Sequence, residues 1–334
     1  MLGMGISIAV LAVLASAGAA SAKVHQYRAE NETNWNGMLR SDIPPVLTVD
    51  DGDTVVFNTQ MLMEGKMRAD MTIEEIAILM EDLAAQGKGL YNFTGPFYVN
   101  GAEPGDVMEI RVKRIELGDY GMTLIFPGAM GMGALPELSP AGCCVTHRYS
   151  ADKKSLEFKP GIEIPLRPFL GTMGLAPRAG EEYPPMPPGY YAGNMDNKEL
   201  VAGTTLYVPV NVPGGLFMAA DAHAVQGDGE VCVSASETWF NEVEIEFVVR
   251  KDLKLSSPLA ETATHWIAMA FHEDLNQAAK DATRSAVDFL AATQPLTSEE
   301  AYLLCSLAVD FRITQIVDGV KGVHAMIPKA IFKK

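Results

Sequence analysis

Val107-Met108-Glu109-Ile110-Arg111-Val112-Lys113-Arg114-Ile115 places Met108, Ile110 and Val112 on one side of an extended chain and Glu109, Arg111 and Lys113 on the other. A period of two with one charged face predicts a half-buried antiparallel strand. The same alternation returns in Glu242 to Arg250, where Val243, Ile245, Phe247 and Val249 are interleaved mainly with charged residues, and a further strand is expected over Thr204 to Val212. Nearer the N-terminus, Val46 to Val49, the turn Asp50-Asp51-Gly52-Asp53 and Thr54 to Thr59 read as a hairpin. Helices are marked by their starts. Thr72-x-x-Glu75 is a capping box ahead of the apolar stripe Ile73, Ile76, Leu79, Met80 and Leu83, which ends at Gly87. Residues 273 to 292 carry Leu275, Ala278, Ala279, Ala282, Ala286 and Phe289 at helical spacing, and Thr297-x-x-Glu300 opens another helix. The fold class expected is α+β and β-rich, with a helical C-terminal part. Its divisions are residues 1–22, 23–155, 156–256, which holds the main site motifs, and 257–334.

The 334 residues are 48% hydrophobic and 20% charged, composition enough for a substantial core. A formal charge of −16 without any Lys/Arg run argues against nucleic acid and anionic membrane surfaces as partners. Gly5 to Ala20 is a run of apolar and small residues closed by Ala20-Ser21-Ala22, which reads as a cleaved signal peptide and a periplasmic or secreted mature protein beginning at Lys23. No later apolar run reaches spanning length, so no stable membrane insertion is expected after cleavage. Cys143, Cys144, Cys232 and Cys305 lack any Cys-x-x-Cys spacing and read as small buried residues or at most one disulfide.

Gly and Pro are dense from residue 118 to 193, a region expected to form long loops, including Phe169-Leu170-Gly171-Thr172-Met173-Gly174. Beyond it, Asp221-Ala222-His223-Ala224-Val225-Gln226-Gly227-Asp228-Gly229-Glu230 packs acids, an imidazole and an amide around two glycines. With Leu216 to Ala220 as a strand and Glu230 to Ala235 as its return, Asp221 and His223 fall on one face, as do Asp228 and Glu230. Gly227 and Gly229 would let backbone N–H groups approach a ligand.

The chain resembles the acetamidase/formamidase family of small-amide hydrolases. The resemblance runs through Gly95 to Val107, Phe169 to Pro177, Gly193-Asn194-Met195-Asp196, Leu206 to Val210, Asp221 to Glu230 and Phe311 to Asp318. It implies sandwich and barrel-like β parts, hydrolysis of a small neutral amide, a divalent metal and homo-oligomers. For such a metal His223 is the best nitrogen ligand, and Asp221, Asp228 and, through the resemblance, Asp196 offer oxygen ligands. Glu230, or whichever carboxylate stays off the metal, would shuttle the proton, with Asp228 and His223 the other catalytic candidates and Asn194, Gln226 and Gly227 the substrate contacts. A His-plus-carboxylate set suits zinc, and an all-oxygen neighbour suits Ca²⁺ or Mg²⁺ as a second ion. The family commonly has an Asp in the loop after Thr59, where this chain reads Gln60-Met61-Leu62-Met63-Glu64; Glu64 is the candidate replacement.

The remaining histidines read as structural: His265 and His272 as packing beside the C-terminal helix, His147 as uninvolved in metal binding, and His25 as part of a disordered N-terminus. Met61, Met63, Met67 and Met71 suggest an apolar lining rather than a copper site. A Gly-x-Ser-x-Gly nucleophile motif is absent. The rival to an amidase is an exported metal- or ligand-binding protein that keeps the fold without turnover.

Overall fold

The computed structural model describes residues 22–29 and 36–333. The expected signal segment, save Ala22, lies outside the described residues. Two large sheets face each other across the main core. The first has nine strands in spatial order Val24–Tyr27, Thr54–Phe57, Phe240–Arg250, Val107–Leu117, Thr205–Pro209, Leu259–Glu261, His265–His272, Lys321–Pro328 and Asp310–Gln315. At its centre Val107–Leu117 pairs antiparallel with both Phe240–Arg250 and Thr205–Pro209, as its alternation predicts. This sheet takes strands from all three segments expected over residues 23–334. The boundary after residue 155 falls inside the strand Ser155–Lys159 of a small two-stranded sheet, and that after residue 256 falls between Phe240–Arg250 and Leu259–Glu261 of the large one.

The second sheet runs Ala192–Asn194, Phe169–Gly174, Phe217–His223, Glu237–Thr238, Tyr120–Ile125 and Cys143–Arg148; Thr94–Val99 pairs with Phe217–His223, and Leu47–Val49 pairs in turn with Thr94–Val99. Between the sheets pack Phe57, Phe97, Met108, Ile110, Phe217 and Phe247, with the Phe217 and Phe247 rings 4.9 Å apart edge to face. The outer side of the second sheet is covered by the helix Ile73–Ala85 and by Met61, Leu62, Met63 and Met67. The helices Leu275–Thr293 and Ser298–Ala308 cover the other side of the first sheet through Ala286, Leu290, Ala301 and Cys305. Both expected capping boxes form, at Thr72 with Glu75 and at Thr297 with Glu300.

Three local expectations are corrected. Leu47–Val49 and Thr54–Phe57 are strands but not a hairpin: the first pairs with Thr94–Val99 in one sheet, the second with Val24–Tyr27 and Phe240–Arg250 in the other. The Asp50–Asp53 turn thus carries the chain from sheet to sheet. His25 is ordered in Val24–Tyr27, where its Nε2 lies 2.7 Å from Asp53 Oδ2. Phe169 to Gly174 is a fully buried strand, not a loop. All four cysteines are free thiols.

Candidate active site

The site is built on the Phe217–His223 strand, all of whose residues are buried. Phe217, Ala219 and Ala222 face the core between the sheets, whereas Met218 and Ala220 face the outer core. Strict alternation would turn Asp221 inward. Asp221 instead adopts a left-handed conformation (φ 58°), which resets the alternation so that both Asp221 and His223 project toward the outer side.

The neighbouring strand Phe169–Gly174 passes this point at Gly171. A Cβ there would stand 2.5 Å from Asp196 Oδ1, 2.6 Å from Asp221 Oδ2 and 2.7 Å from His223 Cε1, so only glycine leaves room for the three side chains. Asp196 reaches the same point from the end of Ala192–Asn194. Its φ is 50°, its N–H donates to the Gly171 carbonyl (3.1 Å), and the Gln226 amide donates to its carbonyl (2.8 Å).

Around His223 the side chains converge. Nε2 is 3.3 Å from Asp221 Oδ2 and 3.3 Å from Glu237 Oε2, and Nδ1 is 3.8 Å from Asp196 Oδ1. Three overlapping groups have ligand atoms within 4.8 Å of one another: Asp196, Asp221 and His223; His223, Glu230 and Glu237; Asp196, Glu230 and Asp318. All are buried. Asn194 sits beneath, donating to Asp196 Oδ2 (2.8 Å) and Asp318 Oδ2 (3.3 Å) and accepting from the Thr172 hydroxyl.

Five carboxyls against one imidazole cannot all ionise in a dry site. Burial and the neighbouring acids push Asp196 and Glu230 well above the ordinary carboxyl range, and burial raises Glu237 as well. Asp318 is pushed up to about 7, chiefly by burial. Burial alone would depress His223, but Asp221 and Glu237 outweigh it and hold the imidazole well above its usual value. Tyr91, buried beside the cluster, has its phenol raised by burial and by Asp221.

Asp196 Oδ1, Glu237 Oε2 and both His223 ring nitrogens are buried without a hydrogen-bond partner among the described residues. Leaving such atoms unsatisfied is costly, and a cation among them would satisfy the acceptors and offset the clustered negative charge. The residues therefore fit a divalent metal. The groups containing His223 offer nitrogen and oxygen donors; the Asp196, Glu230 and Asp318 group offers oxygen alone.

Of the residues singled out from sequence, Asp196, Asp221, His223 and Glu230 come together, with Asn194 and Gln226 around them. Asp228 does not join them: it is exposed and pairs with Lys198 at 2.9 Å. The expected return strand at Glu230 to Ala235 is a series of turns, and the strand that pairs with Ala222 and His223 is Glu237–Thr238. Without that strand, the two-residue period does not apply to Asp228 and Glu230. Gly229 is left-handed, but Gly227 is exposed in open space and lacks a positive φ. Glu64 is held by Lys66 (2.8 Å) and Lys88 (2.6 Å), outside the acidic groups, while Leu62 of the same loop faces the site. Glu237, Asp318 and Gly171 complete the site without having been singled out.

Fold and site together define a β-sandwich protein with a buried acid–imidazole centre at the end of one sheet. The chain belongs to the acetamidase/formamidase family, whose sequence profile matches residues 22–181 and 178–334. It is similar to the crystal structure of an acetamidase from Bacillus halodurans, with 30% identity, 92% of this chain and 98% of that one covered, and a TM-score of 0.81. An acetamidase structure from Yersinia enterocolitica shares 25% identity over 94% of each chain, with a TM-score of 0.82. A formamidase of Methylophilus methylotrophus is 22% identical over 315 residues, 73% of this chain and 77% of its own length.

Proposed function

We propose that this protein hydrolyses short, unsubstituted aliphatic amides of the formamide and acetamide type to carboxylate and ammonia. The observation that carries the reading is the buried cluster of five acids around His223, with acceptor atoms left unsatisfied. Family membership supplies the reaction class. Asp196, Asp221 and His223 would hold a divalent metal, with zinc best suited to that donor set and Ca²⁺ or Mg²⁺ to a neighbouring oxygen-only site. Such an ion, when bound, supplies Lewis acidity and lowers the pKa of water toward about 7.

The chain's own groups supply the remaining steps. Glu230 takes the proton from the attacking water and returns it to the departing nitrogen, a role that fits a buried carboxyl beside the other acids of the cluster. Asn194 and Thr172 fix the Asp196 carboxylate from beneath, and Gln226 fixes the Asp196 backbone. A cavity of about 20 Å³ beside the acids favours the smallest acyl groups.

Homo-oligomers are part of this reading, supported by the exposed apolar residues Tyr302, Leu303 and Leu307 on the last helix. Export to the periplasm or medium is supported by the composition of residues 1–22. A metal- or ligand-binding protein without turnover is the second reading. It is favoured by one observation, that the loop after Thr59 turns Leu62 rather than a carboxylate toward the site. Ammonia release from formamide, acetamide and propionamide separates the two. Turnover of the smaller amides supports the enzyme, and none from metal-loaded protein supports the rival.

A further inference from the structure

The cavity beside the acids has a lining of two chemical kinds: apolar side chains, Leu62, Leu124 and Phe126 among them, and the acids Asp221, Glu230, Glu237 and Asp318. With a volume of about 20 Å³ the space is narrow, so a small amide entering it would lie close to both kinds of lining residue. Attack on a carboxamide builds negative charge on the carbonyl oxygen, and ionised carboxylates accept hydrogen bonds without donating any. A neutral donor beside the ion would add to the stabilisation of that oxygen.

Two hydroxyl-bearing residues line the cavity. Ser234 is engaged, with its Oγ 3.1 Å from Glu237 Oε1 and 3.2 Å from the Ala235 carbonyl. Tyr91 is only 7% exposed, lines the cavity, and makes no hydrogen bond through its hydroxyl among the described residues. Its position is fixed. The ring meets Phe93 edge to face at 6.3 Å, and the preceding Leu90 carbonyl accepts from the Met63 N–H at 2.7 Å.

We propose that the Tyr91 hydroxyl donates the hydrogen bond that holds the substrate carbonyl oxygen and the oxyanion it becomes. This role rests on the amide-hydrolysis reading. The water oxygen bonds to the carbonyl carbon, the C–N bond then breaks, and the nitrogen leaves as ammonia with the proton drawn from water. Tyr91 keeps its own proton throughout. Because that hydroxyl satisfies no protein group, its removal leaves the fold without a lost partner.

The test compares wild type with Tyr91→Phe in metal-loaded protein, reading kcat and KM on formamide and acetamide, the melting temperature and the bound-metal content. The expected result is a fall in kcat of roughly 10²-fold or more, comparable to loss of one oxyanion donor, with melting temperature and metal content unchanged. A variant that keeps kcat within about threefold overturns the role. So does one that fails to fold or loses its metal, because the hydroxyl is then a structural group. Wild type inactive on every amide removes the hydrolysis reading itself, and Tyr91's role falls with it; active wild type beside an unimpaired variant removes Tyr91's role alone.

Discussion

Glu237 stands directly opposite His223 across two antiparallel strands, and its Oε2 lies 3.3 Å from His223 Nε2. The other oxygen, Oε1, accepts from the Ala235 N–H (2.8 Å) and the Ser234 hydroxyl (3.1 Å), which fixes the carboxylate plane. Glu237→Gln keeps the shape and removes one charge from the centre. Affinity for a divalent metal is expected to fall by about 10-fold or more, read by zinc titration against a chelating indicator. Unchanged affinity would take Glu237 out of the site.

Gly171→Ala is the sharpest steric probe, since the added methyl lands within 2.7 Å of three side chains of the cluster. Overpacking of this kind costs about 1–3 kcal/mol. The variant is expected to melt lower and to bind metal weakly; wild-type stability with wild-type metal content would mean that the strands separate freely at this point.

The reach of the sequence can be judged from these positions. Alternation over Val107 to Ile115 and Glu242 to Arg250 was legible because one face is charged and the other buried, and the helix starts were legible because capping boxes are local. Pairing was not. The Asp50–Asp53 turn has every local hairpin feature, yet Asp53 is tied to the Lys23 N–H and His25 of a distant strand, which pulls the chain into the other sheet. Asp221 and His223 were found through the density of polar groups near them. Glu237 follows Ser234-Ala235-Ser236 and looks like any strand acid, and Gly171 looks like any glycine in a Gly-rich stretch. Asp318 closes a block shared with the family but carries no local signal of its own. Their roles arise only when three strands and a turn meet. Asp228 shows the converse error, since a motif neighbour can point to solvent.

That error has a kinetic signature. Glu230→Gln is expected to lower kcat by roughly 10²-fold or more with metal retained, whereas Asp228→Asn, which breaks only the exposed pair with Lys198, should leave kcat within about threefold. Loss of metal in the Glu230 variant would make that residue a ligand instead.

Chelated protein should be less stable as pH rises. Asp318 moves from an ordinary 3.8 in the unfolded chain to about 7 in the fold, so the folded state binds more protons between those values. Its contribution is therefore full below about 4 and is lost as pH climbs toward 7. The raised values of Asp196, Glu230 and Glu237 act in the same direction. Melting of metal-free protein is expected to be higher at pH 5 than at pH 7.5, with the difference reduced in Asp318→Asn; the opposite slope would contradict the burial of these acids.

The central claim is that this buried cluster holds the ion on which amide hydrolysis depends. Ammonia release from acetamide, measured on one preparation before chelation, after it and after zinc is returned, tests that claim most directly. Activity that disappears on chelation and recovers with stoichiometric zinc is the expected result. Full activity in protein shown by elemental analysis to carry no stoichiometric ion would contradict it.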